Sequence, residues 1–254
     1  MKLFVMDAGE LRCPNKGMFT PGRDDGVPIT IPVPMYLIDH PEGLVAVDAG
    51  MNVNYWPAHL RGDHDDDPEQ YLDRRIEQLG YALKDVKYVI MSHYHLDHTG
   101  GMTLLPNATF IVRKSELQMA WWPPGRENGA YSYVYEDYKD TRLYTFIEIE
   151  DDVDYDVFGD GSVICIDTRG HTRGHQSVIV NLPDTGRVVL ALDAASLREN
   201  IDDDLYPGTH SWDKALGLQS IGKLRKLRDE GALVLLGHDP EQWQTLKRTP
   251  AFYG

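Results

Sequence analysis

Three imidazoles and one carboxylate fall within six residues of the stretch Ser92-His93-Tyr94-His95-Leu96-Asp97-His98-Thr99-Gly100-Gly101. Few other features narrow the possible folds as much. Histidine and aspartate at this density suit a divalent metal: neutral imidazole binds zinc and its transition-metal neighbours, and a carboxylate compensates charge. The apolar run Val86–Met91 precedes the cluster and reads as a buried strand. Thr99-Gly100-Gly101 then reads as a tight passage into a helix. The cluster therefore sits on a loop at the C-terminal end of a strand, where α/β proteins build sites. His93 and His95, on alternate residues, can converge on one ion, while Asp97 and His98 can face a second.

The rest of the chain repeats this arrangement. The pattern predicts strands over residues 2–6, 108–112, 162–167 and 232–236, and hairpins over 35–48 and 177–192. Helices are expected from Pro68 to Leu79, from Ser115 to Met119, and from Ser211 to Gly231. The Gly/Pro-rich segment 17–34 is too broken for a helix and is expected to wrap the surface. His93, His171, Asp193 and His238 each come just after an apolar β-run. Four strands of one sheet could deliver four such ends to the same rim. Asp48 also ends a strand, where an acid is ordinarily a turn former. His175 follows His171 by four residues and borders a strand as well.

The 254 residues suffice for one large domain, 1–254, with no repeat or linker in view. A net charge of −15 would repel a phosphate backbone, so nucleic acid is excluded as a partner. No apolar run approaches the ~20 residues of a membrane span. No leader is expected ahead of the first strand. The chain reads as cytoplasmic, with Cys13 and Cys165 reduced.

The run His93-x-His95-x-Asp97-His98 resembles the signature of the metallo-β-lactamase superfamily. The likeness is closest to its dinuclear lactonases, the N-acyl-homoserine lactonases and γ-butyrolactone hydrolases, and it covers nearly the whole chain. It implies an α/β four-layer αβ/βα sandwich, two mixed β-sheets flanked by helices. It implies that His93, His95 and His171 hold a first metal, that Asp97, His98 and His238 hold a second, and that Asp193 bridges them. His175 then serves backbone or outer groups, and Asp48 supports the site from behind. Zinc is the expected metal, with cobalt, manganese or iron fitting the same ligands. The implied reaction is opening of an N-acyl-homoserine lactone ring (quorum quenching) by a metal-bridging hydroxide, with Asp97 and Asp193 as catalytic residues and Asp97 able to shuttle a proton.

The chain departs from the lactonase pattern at one place. Those enzymes carry a tyrosine three residues after the bridging aspartate, whereas this chain reads Asp193-Ala194-Ala195-Ser196. Ser196 is too short to do the same work, and Tyr206 is a candidate substitute. Met18, Phe19, Met51, Trp56, Trp121 and Trp122 are candidates for an acyl-chain groove. A small γ-lactone substrate, a catalytically weak lactone-binding protein and a homodimer are the alternatives that the residues leave open.

Overall fold

Alternate residues of the first strand face different cores, and this sorts the molecule into layers. Leu3 and Val5 point into an interior shared with a second sheet, while Phe4 and Met6 point to the opposite face. The computed structural model describes residues 1–254 except 57, 62, 63, 65, 66, 124–131 and 207–210, and the side chains of residues 59 and 60. Its strands are β1 (Lys2–Cys13), β2 (Ile29–His40), β3 (Gly43–Val47), β4 (Val86–Ile90), β5 (Thr109–Arg113), β6 (Thr145–Ile149), β7 (Tyr155–Asp156), β8 (Val163–Asp167), β9 (Gln176–Leu182), β10 (Gly186–Leu192), β11 (Leu233–Leu236) and β12 (Phe252–Tyr253). The helices are α1 (Ala58–Arg61), α2 (Leu72–Gln78), α3 (Lys114–Trp121), α4 (Tyr135–Tyr138), α5 (Arg198–Asp202), α6 (Lys214–Asp229) and α7 (Pro240–Trp243).

One sheet has seven strands in the order β12-β1-β2-β3-β4-β5-β6, and the other has five in the order β11-β10-β9-β8-β7. Both are mixed: β3 to β6 run parallel, as do β10 and β11, and the remaining pairs are antiparallel. Between the sheets lie Val45, Val47, Ile90 and Ile111 from one side and Val178, Val180, Val188 and Leu190 from the other. Leu72 and Ile76 of α2 cover the outer face of the first sheet. Leu224 of α6 and Ile201 of α5 cover the outer face of the second. This is the four-layer sandwich that the sequence resemblance implies. Among the described residues no helix is long and apolar enough to cross a membrane.

Several local expectations are corrected. β1 runs on to Cys13 through an irregularity between Asp7 and Glu10, where Gly9 takes φ +109°. β2 begins at Ile29, so Pro32 and Pro34 lie inside a strand. β3 pairs only with residues 36–40 of β2, so the prolines sit where a missing N–H costs least. Thr99-Gly100-Gly101 leads into a single 3-10 turn, Met102–Leu104, in place of a helix. Pro68 opens another such turn before α2. Asp213, not Ser211, caps α6 by accepting from the Leu216 N–H at 3.0 Å. The acidic run 198–210 reads as loop from its sequence, yet its first residues, Arg198–Asp202, form the short helix α5, while 207–210 lie outside the described residues.

The ligand-bearing ends do not come from one sheet. His93 follows β4 of the seven-stranded sheet. His171, Asp193 and His238 follow β8, β10 and β11 of the other. The site lies where the rims of the two sheets meet.

Candidate metal centre

The loop after β4 is held by backbone pairing with the end of β3. Ala49 N–H donates to His98 O at 2.8 Å, Gly100 N–H to Gly50 O at 2.8 Å, and Gly101 N–H to Ala49 O at 2.9 Å. A Cβ on Gly100 would come within 2.3 Å of Asn52 N, so only glycine lets the segments approach this closely. Gly100→Ala is expected to cost about 3 kcal/mol through the forced backbone shift, read as a lowered urea midpoint. Asp48 and Leu192 both take left-handed φ values, +60° and +52°, which turn their strand ends toward the site.

Seven buried side chains then converge. His93, His95, His171 and Asp193 present donor atoms within 4.8 Å of one another, and so do Asp97, His98 and His238. Asp193 joins the two groups. Its Oδ2 lies 3.3 Å from His171 Nε2 and 3.8 Å from His93 Nε2. Its Oδ1 lies 3.1 Å from His238 Nε2 and 3.3 Å from His98 Nε2. Asp97 Oδ2 is 3.5 Å from His98 Nε2 and 3.6 Å from His238 Nε2.

Three of the five rings are fixed on their far side by a partner. His98 Nδ1 donates to Asp48 Oδ2 at 2.7 Å. The same carboxylate accepts from Ser92 N–H and Ser92 Oγ, each at 2.7 Å, and Ser92 Oγ in turn meets His93 Nδ1 at 2.9 Å. His238 Nδ1 donates to Pro32 O at 2.8 Å, a use for the strand's irregular start. Such partners set the tautomer and aim the other nitrogen's lone pair inward. His175 is different, since both of its nitrogens are spent. Nδ1 donates to Thr168 O at 3.1 Å, and Nε2 accepts from Asp193 N–H at 3.1 Å. It orients Asp193 and has no lone pair left to offer.

The arrangement fits divalent cations. His93 Nε2 and His98 Nε2, which face Asp193, are buried without a hydrogen bond of sound geometry. Orphaned acceptors of this kind are costly in a protein interior unless something else binds them. His95 Nδ1 and His171 Nε2 face each other at 2.9 Å. Burial, and then the neighbouring imidazoles, hold His93 and His95 well below the usual histidine range, in the neutral form that ligates. Burial would raise the pKa of Asp193, but His238, His98 and His171 outweigh it and hold the carboxyl far below its ordinary value. The donor set suits a dinuclear centre.

The substrate candidates are placed less uniformly. Phe19 is near the centre, its ring 6.4 Å from that of His238, and its carbonyl accepts from Asn200 Nδ2. Met18 belongs to the same short turn. Met51 and Trp56 are buried in the core under α2. Trp121 packs edge-on against Tyr135 and Tyr138, and Trp122 is 72% exposed. Ser196 is buried, and its carbonyl accepts from His238 N–H at 2.9 Å. Tyr206 is buried with its ring over Gly217 of α6, and its described contacts reach none of the seven. Two residues at the site carry no signal that the sequence reading used: Tyr133, whose ring edge meets His95 at 5.1 Å, and Glu116, which accepts the Tyr133 hydroxyl.

Comparison with known proteins agrees with this geometry. The model of the metallo-beta-lactamase superfamily matches residues 29–238. An N-acyl homoserine lactonase, AttM, from Rhizobium radiobacter is 34% identical, over 100% of this chain and 98% of its own. An N-acyl homoserine lactonase from Bacillus cereus is 30% identical, over 99% and 98%. The structure of an N-acyl homoserine lactone hydrolase with N-hexanoyl-L-homoserine at its catalytic metal centre superposes with a TM-score of 0.85 at 26% identity, over 99% of this chain and 98% of that one. The chain belongs to the metallo-β-lactamase superfamily, on its N-acyl homoserine lactonase branch.

Proposed function

We infer that this protein opens the lactone ring of N-acyl homoserine lactones, a quorum-quenching hydrolysis that yields the N-acyl homoserine. The observation that carries this reading is the single carboxylate of Asp193, shared between two buried donor groups in a chain that aligns end to end with lactonases. His93, His95 and His171 would hold one cation, and Asp97, His98 and His238 the other, with Asp193 common to both. Zinc is the metal proposed, since imidazole and carboxylate in small number suit it. Bound there, two divalent ions supply Lewis acidity, polarising the ester carbonyl and making water a nucleophile near neutral pH.

The chain's own groups do the rest. Water adds to the carbonyl carbon, the ring C–O bond breaks, and one proton must move from the water to the departing ring oxygen. Asp97 Oδ2 is suited to carry it. Burial alone would raise its pKa, but His98 and His238 bring it down to about 2, so it waits ionised. Phe19, beside His238, and Met18 offer an apolar edge for the acyl chain. Cys13 and Cys165 are unpaired thiols, which fits a reducing, cytoplasmic location.

The test is proton release from a lactone panel with metal-loaded protein: γ-butyrolactone, short-chain and long-chain acyl homoserine lactones, a thioester and a β-lactam. Acyl homoserine lactones are expected to turn over, and His93→Ala to lose that turnover by ~10³-fold, a loss of several kcal/mol of transition-state stabilisation. Turnover of γ-butyrolactone alone would replace the acyl substrate with a small one. Two bound metals with no lactone turnover would sink the reading.

A further inference from the structure

The two loops that carry His95 and His171 come from opposite sheets, yet these rings face each other at 2.9 Å. Backbone pairing within either sheet does not set that distance. A buried carboxylate spans the gap next to the rings, beyond Gln176, whose N–H donates to Ser92 O at 3.0 Å and whose Nε2 donates to Met91 O at 2.8 Å. Glu116, in the first turn of α3, is fully buried. Its Oε1 accepts from Tyr94 N–H at 2.9 Å, and Tyr94 lies between His93 and His95. Its Oε2 accepts from Gly174 N–H at 2.9 Å, in the loop between His171 and His175. Its Oε1 also takes the Tyr133 hydroxyl at 2.7 Å, which seats that ring edge-on against His95.

The neighbouring packing is tight enough to make this a rigid joint. A Cβ on Gly174 would lie 2.4 Å from Glu116 N and 2.5 Å from its Cβ, so the loop rides directly on the helix start. Ser115 adds a second tie, its Oγ donating to Arg173 O at 3.0 Å. Glu116 does not itself point a free oxygen at the donor groups, because both oxygens are occupied.

We propose that Glu116 is a positioning residue whose carboxylate, bonded to Tyr94, Tyr133 and Gly174, holds His95 and His171 at the separation one cation needs. The proposal rests on the dinuclear reading above but not on the identity of the substrate. Partners behind metal ligands typically control affinity by ~10- to 100-fold.

Glu116→Gln tests it. The amide oxygen can still take the Tyr94 and Tyr133 donors, but its NH₂ then faces the Gly174 N–H, donor against donor, and pushes the His171 loop away. Cobalt(II) affinity, measured by chelator competition with no lactone present, is expected to fall ~10- to 100-fold at one of two sites. For lactone, kcat falls while KM stays within about threefold, because Glu116 acts on geometry and not on substrate contact. Tyr133→Phe keeps the ring beside His95 and deletes one donor, so it should weaken the same site in the same direction by a smaller factor. It also serves as the test if Glu116→Gln fails to fold. Wild-type cobalt affinity at both sites in either folded variant, even with a lowered melting temperature, would overturn the proposal and leave Glu116 a purely structural residue. Since the competition needs no lactone, a wrong substrate assignment leaves this outcome readable.

Discussion

Asp193→Asn is expected to lower lactone turnover by ~10³-fold or more and to leave the purified protein with fewer than two metal ions per chain. The size of the effect follows from position. Among the described residues, Asp193 is the one carboxylate within 3.8 Å of ring nitrogens from both donor groups. The substitution is nearly isosteric, so packing is preserved and the loss is one of charge and donor strength. Without it, five ligand imidazoles keep only Asp97 as an anionic partner near the ions, and the net positive charge of a dinuclear centre goes largely uncompensated in a buried site. His175 sharpens the expectation. It is spent on holding the Asp193 backbone N–H, so it is not free to step in as a spare ligand. Metal content after dialysis and kcat on an acyl homoserine lactone are the two readouts. An Asp193→Asn protein that retains two ions and a kcat within tenfold of wild type would remove Asp193 from the shared position.

The parts of this site that were legible in the sequence are those encoded locally. His93, His95, Asp97 and His98 stand within six residues after an apolar run, and a strand end of that kind aims side chains at a rim whichever sheet the strand joins. Sheet membership was not legible. Val86–Ile90 and Leu233–Leu236 read alike as buried runs, and only non-local pairing puts β4 in one sheet and β11 in the other. Pro32 and Pro34 argue locally against a strand, a rule overridden because β3 is too short to reach them. Ser115 reads as a cap for α3, yet its hydroxyl is used on Asp151 and Arg173, and the helix starts one residue earlier. Glu116 was invisible for a related reason. An acid in the first turn of a helix is normally a complement to the helix dipole. Its actual partners, Tyr94, Tyr133 and Gly174, lie 22, 17 and 58 residues away.

Asp137→Asn is expected to remove a pH-dependent penalty that the wild-type fold carries. Asp137, in α4, is 1% exposed. Its Oδ2 accepts from Thr99 Oγ1 at 3.0 Å, and its Oδ1 has no hydrogen-bond partner among the described residues. Burial, opposed by the Thr99 bond and aided by Glu136, raises its pKa from 3.8 to about 7. The folded state therefore holds a proton between about pH 4 and pH 7 that the unfolded chain releases. Stability then falls as pH rises through that window and levels off above it. At 1.36 kcal/mol per unit, the full penalty is about 4 kcal/mol. Asparagine keeps an acceptor for Thr99 and cannot ionise. Any cost of its unpaired NH₂ is the same at every pH. The stability difference, variant minus wild type, should accordingly climb by about 4 kcal/mol between pH 4 and pH 8 in urea melts of the metal-free proteins, whatever its offset. Titrations shared by both chains cancel in that difference, including those of the site histidines. Parallel curves across the window would mean that Asp137 is ionised in the folded protein at pH 5, with water or a cation reaching its open oxygen.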